Sequence, residues 1–205
     1  MSITIASNRK TIKNRMYLKN AFCRLRCVDY FLRFLILNFQ VHSGIKTGNK
    51  GEQQLDMLVK KERIFDNIVA VSGTKKEAIR TISRLCAKQT MLDVTQLEEA
   101  FWKREEWDST GCGEGIAIPH AIIKGIDEVQ LFIVRFRYPI EWDSFDDKKV
   151  DIAFAIIAPE EKGQEKYLAF LSRLARKLVD EQFVADFRGC RSAKAVYQYV
   201  KNELK

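Results

Sequence analysis

The run Val150-Asp151-Ile152-Ala153-Phe154-Ala155-Ile156-Ile157-Ala158 is apolar at every position but Asp151, and Pro159 closes it. An alternating strand leaves one face wet, whereas a continuous apolar run asks for cover on both faces. The chain supplies that cover. Thr74-x-x-Glu77 has capping-box spacing, and Ala78, Ile79, Ile82, Leu85 and Cys86 follow at helical intervals. Thr95-x-x-Glu98 opens a second helix with Leu97, Phe101 and Trp102 as its apolar side. Tyr167, Leu168, Leu171, Leu174, Ala175 and Leu178 mark a third, with Lys166, Arg173, Arg176 and Lys177 outward. Ser192 begins a last helix, with Ala195, Val196, Tyr199 and Val200 facing in. Ile64 to Val71 suits a strand, as do Val129, Leu131, Ile133 and Arg135, ended by Tyr138-Pro139. Strands alternating with helices predict an α/β fold, a mixed β-sheet flanked by helices on both faces.

Charge divides the chain in two. Residues 1–54 hold ten Lys and Arg against Asp29 and Glu52, which accounts for the whole net charge of +8. The remaining 25 basic and 25 acidic residues cancel. A nucleic-acid partner for the main domain therefore has no electrostatic support. Residues 1–56 read as a basic, poorly ordered N-terminal extension and linker, and residues 57–205 as a single folded domain. Within the extension, Tyr30 to Phe39 is too short to span a bilayer and is interrupted by Arg33. No small-x-small cleavage site follows it. A membrane-surface helix fits this stretch, and so does an upstream segment ahead of a true start at Met57. Ser43 to Gln54 has the composition of a linker, and His42, beside it, has no assigned role. The five cysteines, Cys23, Cys27, Cys86, Cys112 and Cys190, show no spacing for a metal site and suit free thiols in a reducing cytosol.

Chemistry concentrates in Ser109-Thr110-Gly111-Cys112-Gly113-Glu114-Gly115-Ile116-Ala117-Ile118-Pro119-His120. Glycines at alternate positions predict an open, flexible loop. Ile116 to Ile118 reads as a buried strand stopped by Pro119, with His120 at its end. No Gly-Lys-Ser/Thr follows, and glycines at 111, 113 and 115 do not match the G-x-G-x-x-G turn, so both nucleotide readings fail. One histidine in the domain argues against a metal site. Ser109 and Asp151 lack the nucleophile elbow of a hydrolase. Phosphoryl transfer remains: a neutral imidazole attacks phosphorus with one nitrogen while the other is held as a donor. Arg104 and the loop amides are at hand to meet the spread negative charge. A hydrogen-bonded structural histidine fits the patterning as well. Cys112 fits either a reactive thiol or a small turn residue.

Arg104-Glu105-Glu106, Ser109-Thr110-Gly111 and Gly115-Ile116-Ala117-Ile118-Pro119-His120 closely resemble the active-site segment of one phosphotransfer family. These are the enzyme IIA domains of the mannitol/fructose class, with their nitrogen-regulatory relatives, of the bacterial phosphoenolpyruvate-dependent sugar phosphotransferase system. The likeness continues through Pro139-Ile140-Glu141-Trp142 and Val150-Asp151 and covers about residues 58–204. It implies a mixed sheet sandwiched by helices and a phosphohistidine relay without metal or organic cofactor. His120 would accept phosphate from the phosphocarrier protein HPr and pass it to a cysteine of an enzyme IIB. Arg104 would steady the phosphoryl group. The implied protein is a cytoplasmic phosphotransferase component in sugar uptake, reaching the membrane through a IIC permease. A regulatory module controlled by its phosphorylation state is the alternative. In one place the chain departs: Tyr167 stands where a second histidine is usual. Its hydroxyl can still donate to phosphate. Thr110 and Ser109 fit phosphate-side hydroxyls or turn caps. Asp151 fits an orienting carboxylate or an ion pair at its strand's start.

Overall fold

The computed structural model describes residues 58–160 and 164–204, and side chains at 164–168 lie outside that description. The N-terminal extension, its linker and His42 also lie outside the described residues. After a 3-10 turn at Lys61–Arg63 come β1 (Ile64–Ile68), α1 (Lys75–Thr90), α2 (Val94–Glu105), β2 (Gly111–Gly113), β3 (Ile116–Ala117) and β4 (His120–Ile123). Then follow β5 (Gln130–Ile140), β6 (Val150–Pro159), α3 (Gln164–Val179), α4 (Glu181–Gly189) and α5 (Ala193–Glu203).

The sheet order is β1-β5-β6-β3-β2, with β4 also paired to β6. Pairing is mixed: β1 with β5, β3 with β6 and β4 with β6 are parallel, while β5 with β6 and β2 with β3 are antiparallel. The continuous apolar run is the central strand, and side-chain alternation sends its two faces into two cores. Ile152, Phe154 and Ile156, with Leu131 and Ile133 of β5, pack against Leu171, Leu174, Phe183, Phe187, Val196 and Val200 of α3, α4 and α5. Ala153, Ala155 and Ile157, with Phe132 and Val134, pack against Ile79, Ile82, Leu97 and Phe101 of α1 and α2. Burying one Leu, Ile or Phe side chain contributes about 1.5–3 kcal/mol. The α/β sheet sandwiched by helices follows from that demand for cover.

Four local expectations change. Thr74 caps α1 as foreseen, accepting from the Glu77 amide at 3.3 Å, but α2 starts from Asp93, whose carboxylate accepts from the Gln96 amide at 2.9 Å. Thr95 already lies inside that helix. Pro139 does not end β5. It sits, exposed, within the strand where the register shifts between Arg135 and Ile140, so its missing N–H leaves no ladder bond unmade. The short helix α4 was not foreseen. It has only nine residues, and Asp180 caps it by accepting from the Gln182 and Phe183 amides. Arg173 does not simply point outward: it is half-buried and donates to the Leu204 carbonyl at 2.8 Å.

Candidate functional site

Pro119 interrupts pairing without ending it. Upstream, Ile116 and Ala117 of β3 pair with Ile152 and Ala153; downstream, His120 opens β4 opposite Ile156. Between them the Pro119 carbonyl accepts from the Ile156 amide at 2.9 Å. His120 is therefore the first residue of a strand, not the last, and is only 2% exposed.

The loop before it is pinned, contrary to the flexible backbone expected. Glu114 and Gly115 turn the β2–β3 hairpin with φ of 52° and 74°. The Glu114 amide donates to Asp146 at 2.8 Å, and the Gly115 carbonyl accepts from the Asp151 and Ile152 amides. A Cβ on Gly115 would meet Asp151 Oδ1 at 2.7 Å, so glycine is demanded by both space and backbone.

Each imidazole nitrogen has an assigned role. Nδ1 lies 2.9 Å from the Ile118 carbonyl, and Nε2 lies 2.7 Å from Arg104 Nε. A carbonyl only accepts and a guanidinium only donates. The proton therefore sits on Nδ1, and Nε2 carries the lone pair. Burial, then the Arg104 cation, push the His120 pKa down to about 3, against the weaker opposing pull of the Ile118 carbonyl. The ring is neutral at physiological pH. Arg104, near the end of α2, also donates from Nη1 to the Asp108 carbonyl at 2.9 Å, which anchors the guanidinium while it faces the ring.

Thr110 is buried, and its hydroxyl donates to Glu105 at 2.5 Å while accepting from the Trp142 indole at 3.3 Å. Ser109 donates to the Trp142 carbonyl at 3.0 Å and accepts from the Gly111 amide at 3.2 Å, the geometry of a turn cap. Asp151 is not brought to His120; it forms a bidentate pair with Arg188 of α4 at 2.7 and 2.9 Å. Cys112 is half-buried on β2, its thiol 3.4 Å from the Thr110 carbonyl. Tyr167 falls on α3, and its side chain lies outside the described part of the structure.

Two residues at the site have no role assigned by sequence pattern or family resemblance. Glu105 is 5% exposed and accepts from both the amide and the hydroxyl of Thr110. Its spacing from Leu97 and Phe101, four residues at a time, places it on the buried face of α2, which is a legible signal. Lys75, the first residue of α1, bridges Glu105 at 3.3 Å and Asp143 at 2.8 Å. Nothing local marks it.

The model of the family described as phosphoenolpyruvate-dependent sugar phosphotransferase system, EIIA 2, matches residues 57–203. The nitrogen regulatory protein of Escherichia coli (strain K12) is 33% identical over 156 residues, covering 75% of this chain and 93% of that protein. Among solved structures, nitrogen regulatory protein IIA-Ntr from Neisseria meningitidis aligns with a TM-score of 0.62 at 27% identity, over 73% of this chain and 97% of that one. Enzyme IIAMTL of Escherichia coli, solved in complex with phosphorylated enzyme IIBMTL, aligns at 0.52 and 20% identity over 69% and 95%. That last likeness is one of fold.

Proposed function

The chain belongs to the EIIA 2 family of the phosphoenolpyruvate-dependent sugar phosphotransferase system, and from that premise we propose that His120 Nε2 accepts a phosphoryl group and hands it on. One observation carries the reading: a buried, neutral imidazole with its proton fixed on Nδ1 and its lone pair facing a guanidinium. A nucleophile of that kind needs no base to activate it.

The donor is phospho-HPr. As its phosphoryl group approaches, the Arg104 guanidinium leaves Nε2 for the phosphoryl oxygens, keeping its hold on the Asp108 carbonyl. The P–N bond to Nε2 forms while the donor's P–N bond breaks, and the donor imidazole takes the electron pair. The proton stays on Nδ1, donated to the Ile118 carbonyl, and the positive ring is offset by the phosphoryl charge. No proton crosses. The reverse geometry delivers the group to a cysteine of an enzyme IIB, ahead of a IIC permease. Thr110 supports the loop through Glu105, and Asp151 fixes the hairpin through Arg188, which also donates to the Glu114 carbonyl.

Incubation with phosphoenolpyruvate, enzyme I and HPr is expected to give one acid-labile, base-stable phosphate. His120→Ala should take none; labelling equal to wild type would end the proposal. Arg104→Ala should fold and label more slowly, about 100- to 1,000-fold if it loses a charge-stabilising donor. A second reading is favoured by the relatives named nitrogen regulatory proteins: the phosphorylation state controls a partner instead of feeding a transporter. Transfer from the phosphoprotein to an enzyme IIB cysteine separates the two, since a regulatory module would retain its label.

A further inference from the structure

Both nitrogens of the imidazole lead back to consecutive residues at the end of α2. Nε2 accepts from Arg104 directly. From Nδ1 the path has three links: Nδ1–H donates to the Ile118 carbonyl at 2.9 Å, and the Ile118 amide donates to the Thr110 carbonyl at 2.9 Å. Finally the Thr110 amide and hydroxyl donate to Glu105 at 3.1 and 2.5 Å. We propose that Glu105, held by Lys75, is a positioning residue that fixes the tautomer and orientation of His120. The proposal rests on the reading of His120 as phosphoryl acceptor and names what prepares it.

Three features support the assignment. A carboxylate 5% exposed is costly unless its oxygens are satisfied, and here Thr110 N–H, Thr110 O–H and the Lys75 ammonium all converge on it. An apolar residue would fill the same face of α2 at lower cost, so the carboxylate's use lies in what it holds. The links are mechanical, because successive bonds do not share a peptide plane: Glu105 sets where Thr110 stands, and Thr110 sets where Ile118 presents its carbonyl. Finally, Glu105 and Arg104 share a peptide bond, so the two anchors of the ring cannot drift apart independently. Such a frame keeps the Nε2 lone pair toward the guanidinium and, in turn, toward the phosphoryl group.

Nitrogen NMR of the histidine ring reads the tautomer in the unphosphorylated protein, so it is independent of whether phosphotransfer occurs. Wild type should show the Nδ1–H form alone. Glu105→Gln should show a mixture of tautomers and accept phosphate about 10- to 100-fold more slowly, with the half-saturating HPr concentration unchanged. Thr110→Ser, which keeps both donors, should behave as wild type, and Thr110→Val should fall between. A folded Glu105→Gln protein with a single Nδ1–H tautomer and unchanged acceptance would overturn the proposal. If Glu105→Gln does not fold, Thr110→Val decides: a wild-type tautomer there overturns it equally. If wild type takes no label while the tautomer still shifts in Glu105→Gln, the phosphoacceptor reading fails and the positioning role survives.

Discussion

His120 spends its working life unprotonated on Nε2. Its folded-state pKa of about 3 lies below the ordinary histidine value, so between the two the unfolded chain binds the proton and the folded one does not. Stability from this group is therefore complete above about pH 6.5 and is lost as pH falls toward 3. His120→Asn should flatten the fall of the urea midpoint over that acidic window, compared with wild type. The rate of phosphoryl acceptance, for its part, should show no histidine titration of this protein between about pH 6 and 9 once the donor's own titration is subtracted. Local pattern marks His120 behind Pro119 but fits a structural histidine as well; the family resemblance is what assigns His120 and Arg104 their roles. Glu105 was readable as buried but not as useful, because its partner Thr110 is identified only once α2 runs back onto β2. Lys75 and the Arg188 that claims Asp151 lie far off in the chain. No local pattern announces a contact that the fold alone creates.

At the scale of elements, the β2–β3 hairpin decides where His120 stands. Its turn holds Glu114 and Gly115 at positive φ, and its base runs through Ile116 and Ala117 directly into the Pro119–His120 junction. Gly115→Ala would place a methyl 2.7 Å from Asp151 Oδ1 and 2.9 Å from Arg188 Nη2 in a left-handed backbone conformation. The expected loss is about 1–3 kcal/mol of stability by chemical denaturation, together with slower phosphoryl acceptance as the hairpin shifts. Periodicity located α1, α3, α5 and β6 because each repeats one pattern long enough to be heard. It misjudged β5 at Pro139, where a register shift makes a proline harmless, and passed over α4, whose nine residues bury only Phe183, Val184 and Phe187.

At the scale of the molecule, the described residues form a sheet with helices on both sides, as the apolar run of β6 requires. Strand order was not legible, since β3 and β4 take turns on one edge of β6 and only the folded chain shows the splice. Phe154, fully buried beside Phe187 at 5.2 Å between ring centroids, is expected to cost about 3–5 kcal/mol when cut to alanine, read as a drop in the denaturant midpoint with unchanged slope. Phe154 and Ala155 are neighbours in the chain yet belong to opposite cores. A strand that walls two compartments leaves no seam between them: neither half can be lifted away while the other keeps its shape, and the domain is held whole or lost whole.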